Sequence, residues 1–334
     1  MEGFVGIIGC GRIGNRHAAQ VQKAGKLVAV CDIVEERAAS LAAEYGIPYY
    51  LSAEEMLSNE KQLNIAAVCT PNGLHAEHSI LCLEAGLHVL CEKPLAISSA
   101  DGQRMIDASV KNDRKLLVVK QNRYNPPVTV LKELLDQNKL GKIFSFQVNC
   151  FWNRPAAYYL DTWKGTKELD GGTLFTQFSH FIDLLYWLLG DVKEVKAIVS
   201  NFGHPMIGID DSGVVLVEML SGATGTINYT VNSFQQNMEG SFTVFGEKGT
   251  VKIGGQYLNE LEYQCIADTE KIILTPGNTA NNYGFYSGSM SNHDKIYENL
   301  LHAIRDTGHD FASAADGLKT VEIIEKIYRA AAFR

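Results

Sequence analysis

The sequence has few of the features that mark secreted, metal-binding or membrane-spanning proteins. It contains seven cysteines, an odd number, and no two of them form a C-x-x-C pair. Most lie inside apolar runs, which is typical of reduced packing residues and not of a disulfide set or a metal site. No apolar run is long enough to span a membrane, and no signal-peptide pattern opens the chain. We therefore expect a cytoplasmic protein that holds no metal.

Basic charge is also scarce. Lys and Arg number 30 against 38 Asp and Glu, for a formal net charge of −8. This balance argues against nucleic-acid binding, and it makes any anionic ligand dependent on local positive charge. The length of 334 residues suits two domains, and 46% hydrophobic with 20% charged residues is typical of globular chains. A small molecule is the expected partner, with no nucleic acid and no membrane.

A glycine-rich turn near the start is the most informative stretch that is present. Gly9, Gly11 and Gly14 give the spacing G-x-G-x-x-G between a predicted buried strand and a predicted helix. In this context the glycines permit a tight turn, a close approach to a diphosphate, and close packing of the helix on the sheet. The N–H groups that open the helix would then face the phosphates. The alternative is a turn that merely needs small residues.

Asp32 follows the next apolar run and indicates which nucleotide binds. A carboxylate here accepts hydrogen bonds from ribose hydroxyls and repels a 2′-phosphate, which favours NAD over NADP. The alternative is an ordinary solvated turn acid. Contacts to the adenosine and diphosphate are expected from Gly9, Gly11, Arg12, Ile13, Gly14, Asp32 and Ile33.

Strand-like runs alternate with helical patterns over the first 121 residues, which predicts a doubly wound parallel sheet, the Rossmann arrangement. Gly25, Gly46 and Gly86 are expected to end three of the helices as C-caps. Ser52 and Ser98 are expected to open helices as capping boxes. The predicted strands are 4–8, 27–31, 65–69, 88–90 and 115–119, and the predicted helices are 13–24, 35–45, 75–85 and 100–112.

Ligands of such a sheet lie beyond the carboxyl ends of its strands. The residues that follow the predicted strands are therefore the candidates for the site. They are Gly9, Asp32, Thr70, Pro71, Asn72, Glu92, Lys93, Pro94, Gln121 and Asn122.

The pattern changes after residue 123, where longer strand-like runs separated by tight turns predict an open, mostly antiparallel sheet with one helical face. The uncovered face is expected to pack against another subunit, giving a homodimer or homotetramer. We divide the chain into an NAD-binding domain over residues 1–122 and an α+β domain over residues 123–334 for substrate binding and oligomerisation, with the closing helices able to pack back on the first. The expected elements are helices 126–138, 172–189, 293–305 and 314–332, strand 142–152, strands within 192–274, and a loop over 275–291.

In its motifs the sequence resembles the Gfo/Idh/MocA family of oxidoreductases. The resemblance covers nearly the whole chain, and it implies a Rossmann domain joined to an open-sheet domain. It also implies hydride transfer between a nicotinamide and a sugar or cyclitol carbon, commonly in dimers or tetramers. The matching segments are Gly9-Cys-Gly-Arg-Ile-Gly14, Thr70-Pro-Asn-Gly-Leu-His75, Glu92-Lys-Pro94, Gly171-Gly172, His180-Phe-Ile-Asp183, Asp210-Asp211 and Gly246-Glu-Lys-Gly-Thr-Val251.

A narrower similarity is to the branch of that family that oxidises C3 of UDP-N-acetyl sugars, including the UDP-GlcNAc-uronate 3-dehydrogenases. It is carried by Gln121-Asn-Arg-Tyr-Asn-Pro126, Arg154-Pro-Ala-Ala-Tyr-Tyr159, Trp163-Lys-Gly165 and Leu169-Asp-Gly-Gly172.

Oxidation of a secondary alcohol needs a base for the hydroxyl proton and a stabiliser for the developing alkoxide. Lys93 can hydrogen-bond the reacting oxygen, and the resemblance makes His180 the candidate base, with Asp183 able to orient its ring. Many family members carry an aspartate four residues before that histidine, where this chain has Thr176. The alternatives are a solvated loop lysine and a packed core histidine.

The remaining candidates divide between cofactor and substrate. Arg154 is the first choice for a uronate carboxylate or a diphosphate, since guanidinium binds such groups bidentately; the alternative for its neighbourhood is a solvated loop with aromatic anchors. His75 has helix capping as its alternative role, and His293 is left undecided. Cofactor contacts are expected from Thr70, Pro71, Asn72, His75, Glu92, Lys93, Gln121 and Trp163. Substrate contacts are expected from Lys93, Arg123, Asn125, Arg154, Tyr158, Tyr159, Lys164, Thr176, Gln177 and His180, with Lys167 as a further local charge.

The sequence thus predicts an NAD-dependent sugar dehydrogenase. Rival functions are an NAD-dependent glycosidase that oxidises C3 transiently to eliminate a glycosidic group, and an inositol or free-sugar dehydrogenase. A non-catalytic NAD-binding sugar sensor is disfavoured because both Lys93 and His180 are present.

Overall fold

The computed structural model describes residues 3–160, 162–282, 287–305 and 312–333. These residues form two compact units. The first contains residues 3–120, 293–305 and 312–321, and the second contains residues 121–160, 162–282, 287–292 and 322–333.

The first unit is built on a parallel sheet of six strands. The strands are β1 (Phe4–Ile8), β2 (Lys26–Cys31), β3 (Tyr49–Tyr50), β4 (Ile65–Val68), β5 (His88–Cys91) and β6 (Leu116–Val118). Their order is β3-β2-β1-β4-β5-β6, and every neighbouring pair is parallel. The predicted doubly wound sheet is confirmed. Its connecting helices are α1 (Arg12–Ala24), α2 (Glu35–Tyr45), α3 (Ala53–Asn59), α4 (His75–Glu84) and α5 (Ser99–Lys111).

The helix ends of this unit follow the local sequence signals. Ser52 and Ser98 accept the N–H groups of Glu55 and Asp101 as predicted. Gly46 ends α2 in the left-handed conformation, with φ of +64°. Gly25 is the C-cap of α1, as predicted; its φ is −159° and its N–H donates to the carbonyl oxygen of Val21. Glycine is needed there for another reason, because a Cβ would lie 2.9 Å from the carbonyl oxygen of Gly3.

The second unit contains an eight-stranded, mostly antiparallel sheet. Its order is β13-β12-β11-β7-β10-β9-β8-β16, and only the pairs β7–β10 and β8–β16 are parallel among the described strands. The strands are β7 (Ile143–Phe151), β8 (Val192–Ser200), β9 (Ser212–Met219), β10 (Thr224–Thr230), β11 (Glu239–Gly246), β12 (Gly249–Gly254), β13 (Glu260–Ile266) and β16 (Ala331–Phe333), with β14 (Ala280–Asn282) and β15 (Ser287–Met290) forming a separate hairpin. The helices are α6 (Pro126–Asp136), α7 (Thr173–Thr176) and α8 (Ser179–Leu189).

One face of this sheet is covered and the other is exposed. Burial alternates along β8 and β9, as expected for strands with one face in the core. The helix α8 lies on the covered side, where Phe181 contacts the ring of Trp152. Apolar side chains on the other side are about half exposed, namely Ile198, Val214 and Leu216.

Two helices close the chain. The helix α9 (His293–Ile304) belongs to the first unit, and α10 (Ala314–Ala330) begins in the first unit and ends in the second. Among the described residues, none of the helices is long and apolar enough to cross a membrane.

Three predicted elements of the second half were wrong in detail. The single helix expected over 172–189 is interrupted at Phe178, where the backbone leaves helical geometry (φ −116°, ψ 8°) and the side chain is fully buried. Part of the loop expected over 275–291 is the β14–β15 hairpin, and its residues 283–286 lie outside the described residues. The last helix ends at Ala330, because the chain then pairs with β8 as β16.

A buried acid links the second sheet to α10. The carboxylate of Asp210 accepts the hydroxyl of Tyr229 at 2.6 Å and that of Tyr328 at 2.8 Å. Asp210 and Tyr229 are each 2% exposed, and burial raises the pKa of Asp210 although both hydroxyls oppose that rise.

We expect Tyr229→Phe to lower the free energy of unfolding by about 1–3 kcal/mol, because it leaves a buried carboxylate oxygen without its donor. Urea denaturation followed by circular dichroism measures this. The matched control is Tyr263→Phe on the same sheet, where the side chain is exposed and the change should stay within about 0.5 kcal/mol. Equal effects of the two substitutions would contradict this assignment.

Candidate functional site

The turn between β1 and α1 fits the diphosphate of a dinucleotide. Gly9 has φ of +100°, and a Cβ on Gly14 would lie 2.0 Å from the carbonyl oxygen of Gly9. A Cβ on Gly11, by contrast, would meet nothing within 4 Å. The first turn of α1 carries no acidic residue and no side-chain cap, so an anion there would meet the positive end of the helix. Arg12 and Ile13 are the first two residues of that helix.

Asp32 is held in place at the end of β2. Its Oδ2 accepts the N–H of Cys10 and its Oδ1 accepts the N–H of Val34, both at 2.8 Å. The carboxylate is therefore fixed against the glycine-rich turn before any ligand arrives. Ile33, beside it, is 87% exposed. This arrangement fits a ribose whose hydroxyls donate to the remaining lone pairs of Asp32.

His75 joins the ends of β4 and β5. Its Nδ1 lies 2.7 Å from the carbonyl oxygen of Pro94, and its Nε2 lies 3.0 Å from that of Thr70. The ring is 1% exposed, and burial lowers its pKa against the pull of the two carbonyls. His75 thus fixes the backbone on which the expected cofactor contacts Thr70, Pro71 and Asn72 lie. The helix-capping alternative is not what the ring does.

Glu92 is directed into the first unit, where it meets three residues that no sequence pattern singled out as a group. Its Oε1 lies 2.8 Å from Nε2 of His17 and 3.3 Å from Nε2 of His293. His17 Nδ1 in turn lies 2.7 Å from the hydroxyl of Tyr297. Burial favours the neutral acid, but the two imidazoles outweigh it and hold the pKa of Glu92 well below its usual range. A permanent negative charge therefore sits directly before Lys93.

Lys93 is half buried at the end of β5, and the peptide bond to Pro94 is cis. Its backbone N–H donates to Oε2 of Glu92 at 3.0 Å. An ammonium group carried on a fixed backbone at a strand end can donate a hydrogen bond to a substrate oxygen in a defined direction.

His180 lies on α8 of the second unit and is 3% exposed. Its Nε2 is 3.2 Å from the amide nitrogen of Gln121, which also donates to Ser289. With the amide in this orientation, Nε2 accepts a hydrogen bond from Gln121. Oε1 of Gln121 is buried without a hydrogen-bond partner among the described residues, which leaves an acceptor for a ligand.

Arg123 and Asn125, both expected at the substrate, have partners inside the second unit. The guanidinium of Arg123 forms a bidentate pair with Asp183 at 2.9 and 2.8 Å, and it lies over the ring of Trp187. Asn125 is fully buried and donates to the carbonyl oxygens of Tyr257 and Leu258. Asp183 therefore binds Arg123 through both carboxylate oxygens.

Arg154 is buried among aromatic rings and amides of the second unit. Its Nε donates to Oε1 of Gln177 at 2.7 Å, and its Nη1 donates to Oδ1 of Asn237 at 3.3 Å. Its guanidinium lies 5.0 Å from the ring of Trp152 and 5.5 Å from that of Tyr158. Amide oxygens and ring faces thus contact the guanidinium from several sides.

The predicted substrate residues around Arg154 form one cluster. Gln177 donates to the hydroxyl of Tyr158 at 2.7 Å, and the ammonium of Lys164 lies 4.9 Å from the same ring. Lys164 also lies 5.1 Å from the ring of Trp163, and Tyr159 packs edge-on against Tyr158. The structure therefore gathers Arg154, Tyr158, Tyr159, Trp163, Lys164 and Gln177 into one aromatic, cationic group.

Two supports of this cluster were missed from the sequence. His204 Nε2 lies 2.8 Å from the carbonyl oxygen of Arg154, and its Nδ1 lies 3.1 Å from Asp211, which raises the pKa of His204. Asp170 accepts the hydroxyl of Thr176 and the N–H of Gly165, which ties the loop with Trp163 and Lys164 to α7. A lone histidine or aspartate in a loop gives no signal in the sequence; only the fold brings these partners together.

The family described as "Oxidoreductase family, NAD-binding Rossmann fold" (GFO_IDH_MocA) matches residues 4–120, and the Gfo/Idh/MocA C-terminal domain matches residues 128–252. The solved structure of the WlbA dehydrogenase from Bordetella pertussis with NADH and UDP-GlcNAcA is 33% identical, with a TM-score of 0.89 over 99% of this chain and 96% of that one. Levoglucosan dehydrogenase from Pseudarthrobacter phenanthrenivorans is 26% identical over 79% of this chain and 76% of its own length. Myo-inositol 2-dehydrogenase from Thermotoga maritima is 30% identical over 74% of each chain.

Asp170 gives the second unit a measurable pH dependence. Burial raises its pKa to about 6, although the bonds from Thr176 and Gly165 oppose the rise. The native state therefore binds this proton more tightly than the unfolded chain does, so the stabilising contribution is complete below the unfolded pKa and is lost as the pH rises through about 6.

We expect Asp170→Asn to remove this dependence. The difference in unfolding free energy between the wild type and Asp170→Asn should shift by about 2–3 kcal/mol in favour of the variant between pH 4 and pH 7.5. Urea denaturation at a series of pH values measures it. A difference that is constant over this range would show that Asp170 is ionised throughout.

Proposed function

The chain belongs to the Gfo/Idh/MocA family of oxidoreductases, and we propose that it oxidises a ring hydroxyl, at C3, of a UDP-linked N-acetyl hexosamine or its uronate. The resemblance found in the motifs is confirmed, as is NAD as the cofactor of its Rossmann domain. The chain is an NAD-dependent dehydrogenase. The sugar and the position oxidised are the proposal.

One observation supports the nucleotide sugar above the rest. The similarity to the WlbA dehydrogenase, solved with UDP-GlcNAcA, extends over 99% of the chain. The cluster around Arg154 has the chemistry that such a ligand requires, because a buried guanidinium can pair with a carboxylate or a diphosphate. Tyr158 and Trp163 offer ring faces for the uracil or the sugar.

The proposed chemistry divides between two side chains. When bound, NAD accepts the hydride from the carbon that is oxidised. Lys93 donates a hydrogen bond to the reacting oxygen and stabilises the negative charge that develops there. His180 takes the hydroxyl proton. Thr176 stands where many relatives have an aspartate, so Lys93 and His180 carry the proton transfer without that carboxylate.

The levoglucosan and inositol relatives support a second candidate, the oxidation of a free sugar or polyol. The same lysine and histidine would serve that reaction, so only the substrate distinguishes the two. A glycosidase that oxidises its substrate transiently would release a glycoside with no net formation of NADH.

We also propose that the chain works as a homodimer or homotetramer in the cytoplasm. The half-exposed apolar side chains on one face of the second sheet, Ile198, Val214 and Leu216 among them, support burial against another copy. All seven cysteines are free, and six are buried, which suits a reducing compartment.

The test mixes enzyme in stoichiometric amounts with NAD and each of UDP-GlcNAcA, UDP-GlcNAc, myo-inositol and levoglucosan, so that retained NADH is also seen. We expect reduced nicotinamide to form with the UDP-sugars, and Lys93→Ala to lower kcat by about 10²- to 10³-fold while NAD still binds. Lys111→Ala, at an exposed lysine at the end of α5, is the matched control and should keep kcat within about twofold. Reduction of NAD by a polyol alone, or near-normal turnover of Lys93→Ala, would contradict the proposal.

A further inference from the structure

Four side chains are buried together beside the end of β5 in the first unit. His17 is 0% exposed, His293 1%, Tyr297 3% and Glu92 5%. They come from three separate stretches of chain, on α1, on α9 and directly after β5. A buried carboxylate destabilises a protein unless hydrogen-bond donors surround it. The carboxylate of Glu92 therefore depends on the donors of this group.

The hydrogen bonds of the group assign its protons. Because ionised Glu92 can only accept, Nε2 of His17 and Nε2 of His293 carry the protons that point at Oε1. The other ring nitrogen of His17, Nδ1, lies 2.7 Å from the hydroxyl of Tyr297. Nδ1 of His293 has no hydrogen-bond partner among the described residues, as fits a ring protonated on Nε2.

The ligand atoms of His17, Glu92 and His293 all lie within 4.8 Å of one another, which is the spacing of a candidate metal site. Both imidazoles, however, point at the same carboxylate oxygen at hydrogen-bond distances. The other oxygen is taken by the N–H of Lys93. Hydrogen bonding alone therefore accounts for the arrangement.

The group acts on the backbone of Lys93. The N–H of Glu92 donates to the carbonyl oxygen of Val68 in the sheet, and Oε2 of Glu92 accepts the N–H of Lys93. On the far side, His75 holds the carbonyl oxygen of Pro94. The peptide group before Lys93 is thus held by Glu92, and His75 contacts the carbonyl group of Pro94, one residue beyond Lys93. A rotation of the Glu92 side chain would release the N–H of Lys93.

We infer that His17 and His293 are positioning residues that fix Lys93 through the carboxylate of Glu92, with Tyr297 setting the tautomer of His17. The inference rests on the proposed role of Lys93 in the reaction. Since misplacement of a catalytic group by about 1 Å costs up to about 10²-fold in rate, loosening this group should lower kcat more than substrate binding.

The test compares His293→Leu, which removes the donor, with His293→Gln, whose amide can present an N–H near the position of Nε2. We expect kcat with the best UDP-sugar to fall by about 10- to 100-fold in His293→Leu, with KM and the NAD dissociation constant changed less than about threefold. His293→Gln should recover most of that kcat. Tyr297→Phe, which removes a single oxygen, should lower kcat selectively by about 2- to 10-fold and covers the case in which His293→Leu does not fold.

A spectroscopic readout is independent of turnover. In ¹⁵N-histidine NMR of the protein without substrate, His17 should show a protonated Nε2 and an unprotonated Nδ1, and Tyr297→Phe should disturb this pattern.

The inference is overturned if Tyr297→Phe and His293→Leu both keep wild-type kcat, or if His17 is protonated on Nδ1. It is also overturned if His293→Gln and His293→Leu lose kcat equally. Lys93→Ala separates this failure from that of the proposed function: if Lys93→Ala is inactive while His293→Leu is unchanged, only the positioning role is lost.

Discussion

The arrangement of side chains at the end of β5 depends on one buried carboxylate, that of Glu92. The carboxylate of Glu92 is stable in its ionised form because two imidazoles and a backbone N–H donate to it. Removing one donor from a buried charge is costly, so each partner is held in turn by the others. The same carboxylate accepts the backbone N–H of Lys93, two residues after the end of β5, and so fixes the start of that residue.

The glycine-rich turn is packed too closely for larger residues at two of its positions. Gly14 approaches the carbonyl oxygen of Gly9 so closely that no larger residue fits, and Gly9 itself abuts the backbone at Cys69. Asp32 is tied to this turn through the N–H of Cys10. The packing of the sheet therefore fixes the residues expected to contact the nucleotide before a ligand binds.

Two arginines of the second unit have different kinds of partner. Arg123 is neutralised by a bidentate carboxylate and packs on Trp187, so it stabilises the fold. Arg154 donates to amide oxygens and lies over the faces of aromatic rings. In a chain with a net charge of −8, a local cation of this kind is what an anionic substrate needs.

The sequence predicted the first unit well because its signals are local. Strand length, apolar periodicity and capping serines fixed β1, α2 and α5 to within a residue or two, and the glycine spacing with Asp32 indicated NAD. Non-local features escaped it. No local pattern near Phe178 predicted the break between α7 and α8, and none near Ala331 predicted its pairing with β8. Arg123 and Arg154 could not be told apart, because their difference lies in partners 60 and 23 residues away. The sequence also did not predict that His17 and His293 contact Glu92, because they lie 75 and 201 positions away from it along the chain.

The most direct measurement is a crystal structure of the protein with NADH and UDP-GlcNAcA, read for the distances from the C3 hydroxyl oxygen to Nζ of Lys93 and to the ring of His180. The account predicts that both lie within hydrogen-bond reach, about 2.6–3.2 Å, with Arg154 on an anionic group of the ligand. A complex in which the C3 hydroxyl meets neither side chain, or in which another hydroxyl takes its place, would contradict it.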